Sequence, residues 1–238
     1  MNSIEKNKKK SKMVVFDFDE TLVKSQDVFY VMTERAIRKL CLPCSEYVVK
    51  HIYSEYDKEF FGWGKNLNDQ IYIYKKHFQP LITLFSSDYY FIKQMAFFDG
   101  IKNVIKMLAK TDIALAIASS RDLISILNFL NINGVENEFN SIKATEGGLN
   151  YPDKPDTAVV RAISEELNIP LDRAIMIGDL PCDIQMGKKA GMKTIAVEYS
   201  EYSNREKIKK ENPDVIIENN NARQMVKTIK KLLASKTK

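Results

Sequence analysis

The chain has 238 residues, 45% of them hydrophobic and 28% charged, enough to bury the core of one α/β domain with a smaller insert. That composition excludes a disordered protein, and no apolar run reaches the roughly 20 residues a membrane-spanning helix needs. The formal charge of +5 sits at the ends: residues 1–12 hold five lysines against one glutamate, and 223–238 hold Arg223 and five lysines with no acid, which leaves the body between them acidic.

Residues 1–11 are polar and basic and are expected to be a disordered tail; no apolar stretch comes after them, so a cleaved secretory signal is not expected. Nothing aromatic is interleaved with the tail lysines, so nucleic acid is not the expected partner, nor is a membrane. Lys12–Phe16 reads as a short buried strand. Residues 26–97 have a different texture, with the only tryptophan and most of the tyrosines. Val28, Val31, Met32, Ile37 and Leu40, and later Ile71, Tyr74 and Phe78, stand near helical spacing, which predicts a small all-helical unit. Beyond residue 98, strand and helix alternate. Ile101, Val104, Ile105 and Leu108 form a helical stripe, with Asp99 as its expected cap. Further strands are expected at 113–118, 139–144, 174–177, 194–197 and 215–217, with helices after the second and third and a last helix through Val226, Ile229 and Leu233. Buried strands alternating with helices predict a parallel, Rossmann-like α/β sheet, built from 12–25 and 98–238 and interrupted by the helical insert.

Ligands of an open parallel sheet sit beyond the carboxyl ends of its strands. After the first strand come Asp17, Asp19 and Thr21; after the second, Ser119, Ser120 and Arg121; after the fourth, Gly178, Asp179 and Asp183. Lys154 stands between the third strand and the next helix. Four carboxylates in one pocket would repel, and a hard divalent cation with oxygen ligands removes the conflict. Lys154, the Ser119 hydroxyl and backbone N–H groups near Arg121 could then hold phosphate oxygens. Taken singly, each of these residues reads as a turn, a helix cap or a surface group. Their order, each behind an expected strand, is what points to phosphoryl chemistry.

Asp17-Phe-Asp19-Glu-Thr21-Leu22, Ser119, Lys154 and Gly178-Asp179-Leu-Pro-Cys-Asp183 resemble, in order, the four motifs of the haloacid dehalogenase superfamily. Gly187-Lys-Lys-Ala-Gly191 and an insert directly after the first motif are similar to its phosphoglycolate-phosphatase-like and β-phosphoglucomutase-like branch. The resemblance implies a phosphatase with Asp17 as nucleophile and Asp19 as acid and base. Thr21 would support the loop, with Ser119, Ser120, Arg121 and Lys154 around the phosphoryl group. It implies Mg2+ held by Asp17, the Asp19 carbonyl, Asp179 and Asp183, and a helical cap over the site. Glu20 stands where this branch usually has glycine, and Lys24 where it often has aspartate.

Phe60-Phe-Gly-Trp-Gly-Lys65 is the insert's most suggestive stretch. It reads either as a mobile loop placing Trp63 and Lys65 on the leaving group or as an aromatic core with a glycine turn. Cys41-Leu-Pro-Cys44 has the spacing of half a zinc site, but His51 and His77 are the only histidines, and incidental packing is expected. Three cysteines imply no disulfide framework and a reducing, cytoplasmic setting. The expected substrate is a small phosphorylated metabolite and the expected assembly a monomer or homodimer. A phosphomutase, or a phosphatase for macromolecular phosphates, are the competing readings.

Overall fold

The structure is a computed structural model that describes residues 10–235 except 56, 147, 203, 204 and 220, so the expected tail lies mostly outside the described residues. The chain forms two compact units: residues up to Lys24 with those from Ala96 onward, and Ser25–Met95 between them.

The first unit is α/β. Its strands are β1 (Lys12–Phe16), β2 (Val23–Lys24), β3 (Ala96–Phe97), β4 (Ile113–Ser119), β5 (Ser141–Ala144), β6 (Ala174–Gly178), β7 (Lys193–Val197) and β8 (Val215–Ile217). Six of them make one parallel sheet in the order β5-β4-β1-β6-β7-β8. β2 and β3 form a separate antiparallel pair where the chain leaves and re-enters this unit. The central strands β1, β4 and β6 are buried on both faces, as their unbroken apolar runs demand. Met13 and Val15 pack with Val159, Val160 and Ile163 of the helix Ala158–Leu167.

The helix Ile101–Ala109 buries the expected stripe of Ile101, Val104, Ile105 and Leu108, each side chain contributing roughly 2 kcal/mol by leaving water. Its N-cap is Gly100, not Asp99: the backbone there is left-handed (φ 80°), a conformation glycine adopts without strain, and Asp99 points to solvent 3.9 Å from Lys24. Residues 136–138 form a 3-10 turn, so the third core strand starts at Ser141 rather than 139. The helix Pro181–Lys189 lies close on the sheet because of Gly187, where a Cβ would sit 2.8 Å from both Met176 and Thr194.

The second unit is helical, with Gln26–Lys39, Glu46–Glu55, Leu67–Ile73 running on through a π-turn at Tyr74–Phe78, Gln79–Ser86 and Tyr89–Ile92. Its core is aromatic. Trp63 is fully buried, 5.2 Å from the Phe78 ring, and its Nε1–H donates to the Pro43 carbonyl. Among the described residues, no helix is long and apolar enough to cross a membrane.

Candidate active site

β1, β4 and β6 are neighbours in the sheet and end at one edge, which brings residues far apart in sequence together. Asp17 comes directly after β1, and its N–H donates to the Ile177 carbonyl of β6 at 2.8 Å. The next residues turn back sharply, the N–H groups of Leu22 and Val23 both donating to the Phe18 carbonyl. Gly178 ends β6, and a Cβ there would lie 2.4 Å from the Asp183 side chain. Only glycine lets the first turn of the following helix fold Asp183 beneath the strand end. Asp183 Oδ2 accepts the Leu180 N–H at 3.1 Å, which fixes its orientation.

Lys154 joins the acids. Its Nζ donates to Asp17 Oδ1 at 2.6 Å and to Asp183 Oδ1 at 2.7 Å, with 4% of its side chain exposed. Thr21 Oγ1 donates to Asp179 Oδ1 at 2.9 Å. Asp17, Asp179 and Asp183 are all buried, and each offers an oxygen within 4.8 Å of the others. Burial pushes the Asp17 carboxyl up to about 7; Lys154 pulls it down and Asp183 raises it further. Burial, then Asp17 and Asp183, hold Asp179 well above the usual carboxylate range. Burial opposes the Lys154 ammonium, yet the two carboxylates outweigh it and keep the lysine charged. One ammonium does not balance three buried acids. A hard divalent cation with oxygen ligands would complete the balance, so the residues present fit a magnesium ion.

The expected fourth carboxylate does not join this cluster. Asp19 is paired instead with Arg121, Nη2 to Oδ1 at 2.8 Å. The Ser119 hydroxyl is buried and accepts the Arg121 N–H at 3.1 Å, while Ser120 is exposed. Trp63 and Lys65 belong to the helical unit. Trp63 is core, its one polar atom taken by Pro43, so the substrate-contact reading of this residue is withdrawn. The turn around it is clamped rather than loose: the Lys65 N–H donates to Asp69 Oδ2 at 2.8 Å, and buried Gln70 bonds the backbone of Glu59 and Phe61. The Lys65 side chain is exposed. Burial, then Asp183, push the thiol of Cys182, beside the acids, up to about 12. Cys41 and Cys44 are free thiols.

Two further residues near the site are not foreseen from the motifs. The Tyr199 hydroxyl donates to the Thr21 carbonyl, and the Ser200 hydroxyl to Glu20 Oε2, tying the loop after β7 to the loop after β1. Their signal is positional: Tyr199 and Ser200 stand just beyond the end of β7, as Asp17 stands just beyond the end of β1. Glu20 takes a left-handed backbone (φ 53°), which accounts for glycine at this position in the family branch.

A parallel sheet with acids, a buried lysine and a serine at one carboxyl edge defines an α/β fold whose site has the charges to hold a phosphate group. The chain belongs to the haloacid dehalogenase-like hydrolases: the family model matches residues 14–197. A protein of Clostridium perfringens provisionally named pyrophosphatase PpaX is 26% identical over 210 residues, 87% of this chain and 92% of its own. The phosphoserine phosphatase of Methanocaldococcus jannaschii is 24% identical over 230 residues, covering 93% of this chain and 99% of its own. A haloacid dehalogenase-like hydrolase structure from Streptococcus pneumoniae shares the fold with a TM-score of 0.66 at 15% identity, covering 92% of this chain and 98% of its own.

Proposed function

We propose that the protein is a magnesium-dependent phosphatase that hydrolyses a small phosphate monoester, of the phosphoglycolate or sugar-phosphate kind, through an aspartyl phosphate on Asp17. The observation that carries this reading is the junction of Asp17, Lys154 and Asp183 beside Asp179 at the ends of adjacent strands. A Pseudomonas savastanoi relative, 23% identical over 227 residues, is named phosphoglycolate phosphatase, which supports the substrate class.

In this reading a carboxylate oxygen of Asp17 forms a bond to phosphorus as the bond from phosphorus to the leaving oxygen breaks. Asp19 gives its proton to that leaving oxygen. It then takes a proton from the water that attacks the aspartyl phosphate, returning Asp17 and releasing phosphate. Lys154 holds Asp17 in place and offers positive charge to the transferring group; Ser119 donates its hydroxyl to a phosphate oxygen. Asp17, Asp179, Asp183 and the Asp19 carbonyl would hold magnesium, which supplies Lewis-acid charge when bound.

The test is a panel of phosphorylated metabolites with magnesium, then with chelator. We expect free phosphate from small monoesters, lost on chelation and restored by magnesium. No release from any member contradicts the phosphatase reading, release indifferent to chelation contradicts the metal, and conversion of a sugar 1-phosphate to its 6-phosphate isomer identifies a mutase.

A further inference from the structure

Arg121 grips Asp19 with a fork. Its Nε lies 3.0 Å from both Oδ1 and Oδ2, and its Nη2 lies 2.8 Å from Oδ1. The two partners are held very differently. The Arg121 side chain is 5% exposed, lies over the Phe18 ring, and donates from Nη1 to Ser125 Oγ at 3.3 Å. Its own N–H is spent on Ser119 Oγ. Asp19, by contrast, is 35% exposed at the tip of the loop after β1. The guanidinium is therefore the fixed partner and the carboxylate the one able to leave.

A carboxylate with both oxygens engaged by a guanidinium is not placed to pass a proton to a leaving group. If it departs, the buried guanidinium loses the one carboxylate bonded to it and keeps only the more distant charges of Asp122 and Asp17, an unfavourable state. The replacement the reaction itself brings is the phosphoryl group, an anion whose oxygens suit the same planar fork. Ser119, assigned above to that group, is bonded to the Arg121 backbone.

We propose that Arg121 is an exchange post: it holds Asp19 by both carboxylate oxygens and releases it when a phosphoryl anion takes the guanidinium. Substrate binding and liberation of the acid–base residue then become a single event. The inference rests on the reading of Asp19 as that residue and makes Arg121 a phosphate ligand and a positioning residue for it.

The test is calorimetric titration of the magnesium-loaded protein with inorganic phosphate in four forms: the native chain, Asp19→Asn, Arg121→Met and the double variant. Asp19→Asn removes the competitor and is expected to tighten phosphate about tenfold, while Arg121→Met weakens it about tenfold; in the Arg121→Met background Asp19→Asn is expected to change affinity less than about twofold. Equal tightening in both backgrounds would mean plain charge repulsion and would overturn the exchange, as would no tightening with Arg121 present. Should a thermal scan show Arg121→Met unfolded, Arg121→Lys, which keeps the charge but not the fork, takes its place with the same expected loss of coupling. Hydrolysis of p-nitrophenyl phosphate and glycerol phosphate by Asp19→Asn is read separately. A larger loss on glycerol phosphate, the poorer leaving group, upholds the acid role, and equal native rates on both sink that role whatever the titration shows.

Discussion

Asp17→Asn is expected to lower kcat for p-nitrophenyl phosphate by on the order of 10⁴-fold or more, with the protein still folded. An amide oxygen has the shape of the carboxylate oxygen but is a far poorer nucleophile. It can still accept from Lys154, so the site keeps its geometry. Stability moves the other way from activity. The folded-state carboxyl of Asp17 is pushed up to about 7 by burial, against an ordinary value of 3.8. Between these values the folded chain binds more protons than the unfolded one, so this group makes the metal-free protein less stable as pH rises through that window. Removing the ionisable group removes that loss. Thermal scans in chelator at pH 8 should therefore show Asp17→Asn with a Tm equal to or above the native one. A lowered Tm would assign the lost activity to unfolding.

Lys154→Met is expected to cost about 3–5 kcal/mol in the metal-free protein near pH 8, because it strips the counter-charge from buried acids that have few other partners. Asp17 and Asp183 each lose the ammonium at 2.6 and 2.7 Å, and Asp179 stands beside them. Burial holds the Asp17 and Asp179 carboxyls above their ordinary range, so lowering the pH protonates these two and the gap between variant and native Tm should narrow toward pH 5. Added magnesium should narrow it as well. Turnover is expected to drop about 10²- to 10³-fold even when magnesium restores folding, since the positive charge on the transferring group is gone. Chemical denaturation at two pH values, with and without magnesium, reads all three effects. A variant as stable as the native chain at pH 8 in chelator would show that the lysine does not balance the acids.

The sheet was legible because its central strands are buried on both faces and so read as unbroken apolar runs, Lys12–Phe16 and Ile113–Ser119 above all. Their alternation with helices made the parallel pairing legible, and the strand ends marked where Asp17, Ser119 and Asp179 would emerge. Side-chain direction was not legible. A strand end fixes where a residue begins, not which partner it turns to, and so Asp19 was grouped with the other acids although Arg121 holds it. The same limit hid the bonds of Tyr199 and Ser200 to the loop after β1, since both partners lie about 180 positions away in the chain. Local backbone chemistry misled at Asp99, where a good capping side chain stands one residue before the glycine that ends the turn. Trp63, flanked by glycines, read either as a moving loop or as aromatic core beside a glycine turn, and its full burial fits the second. Asp69 and Gln70, several residues on, fasten it, and spacing alone does not reveal such clamps.

The measurement closest to the centre of this account is acid quench of steady turnover followed by peptide mass mapping of the native chain. One phosphoryl group is expected on the peptide containing Asp17, formed only with magnesium and absent from the Asp17→Asn protein. A phosphoryl group on any other side chain, or its persistence after that substitution, would contradict it.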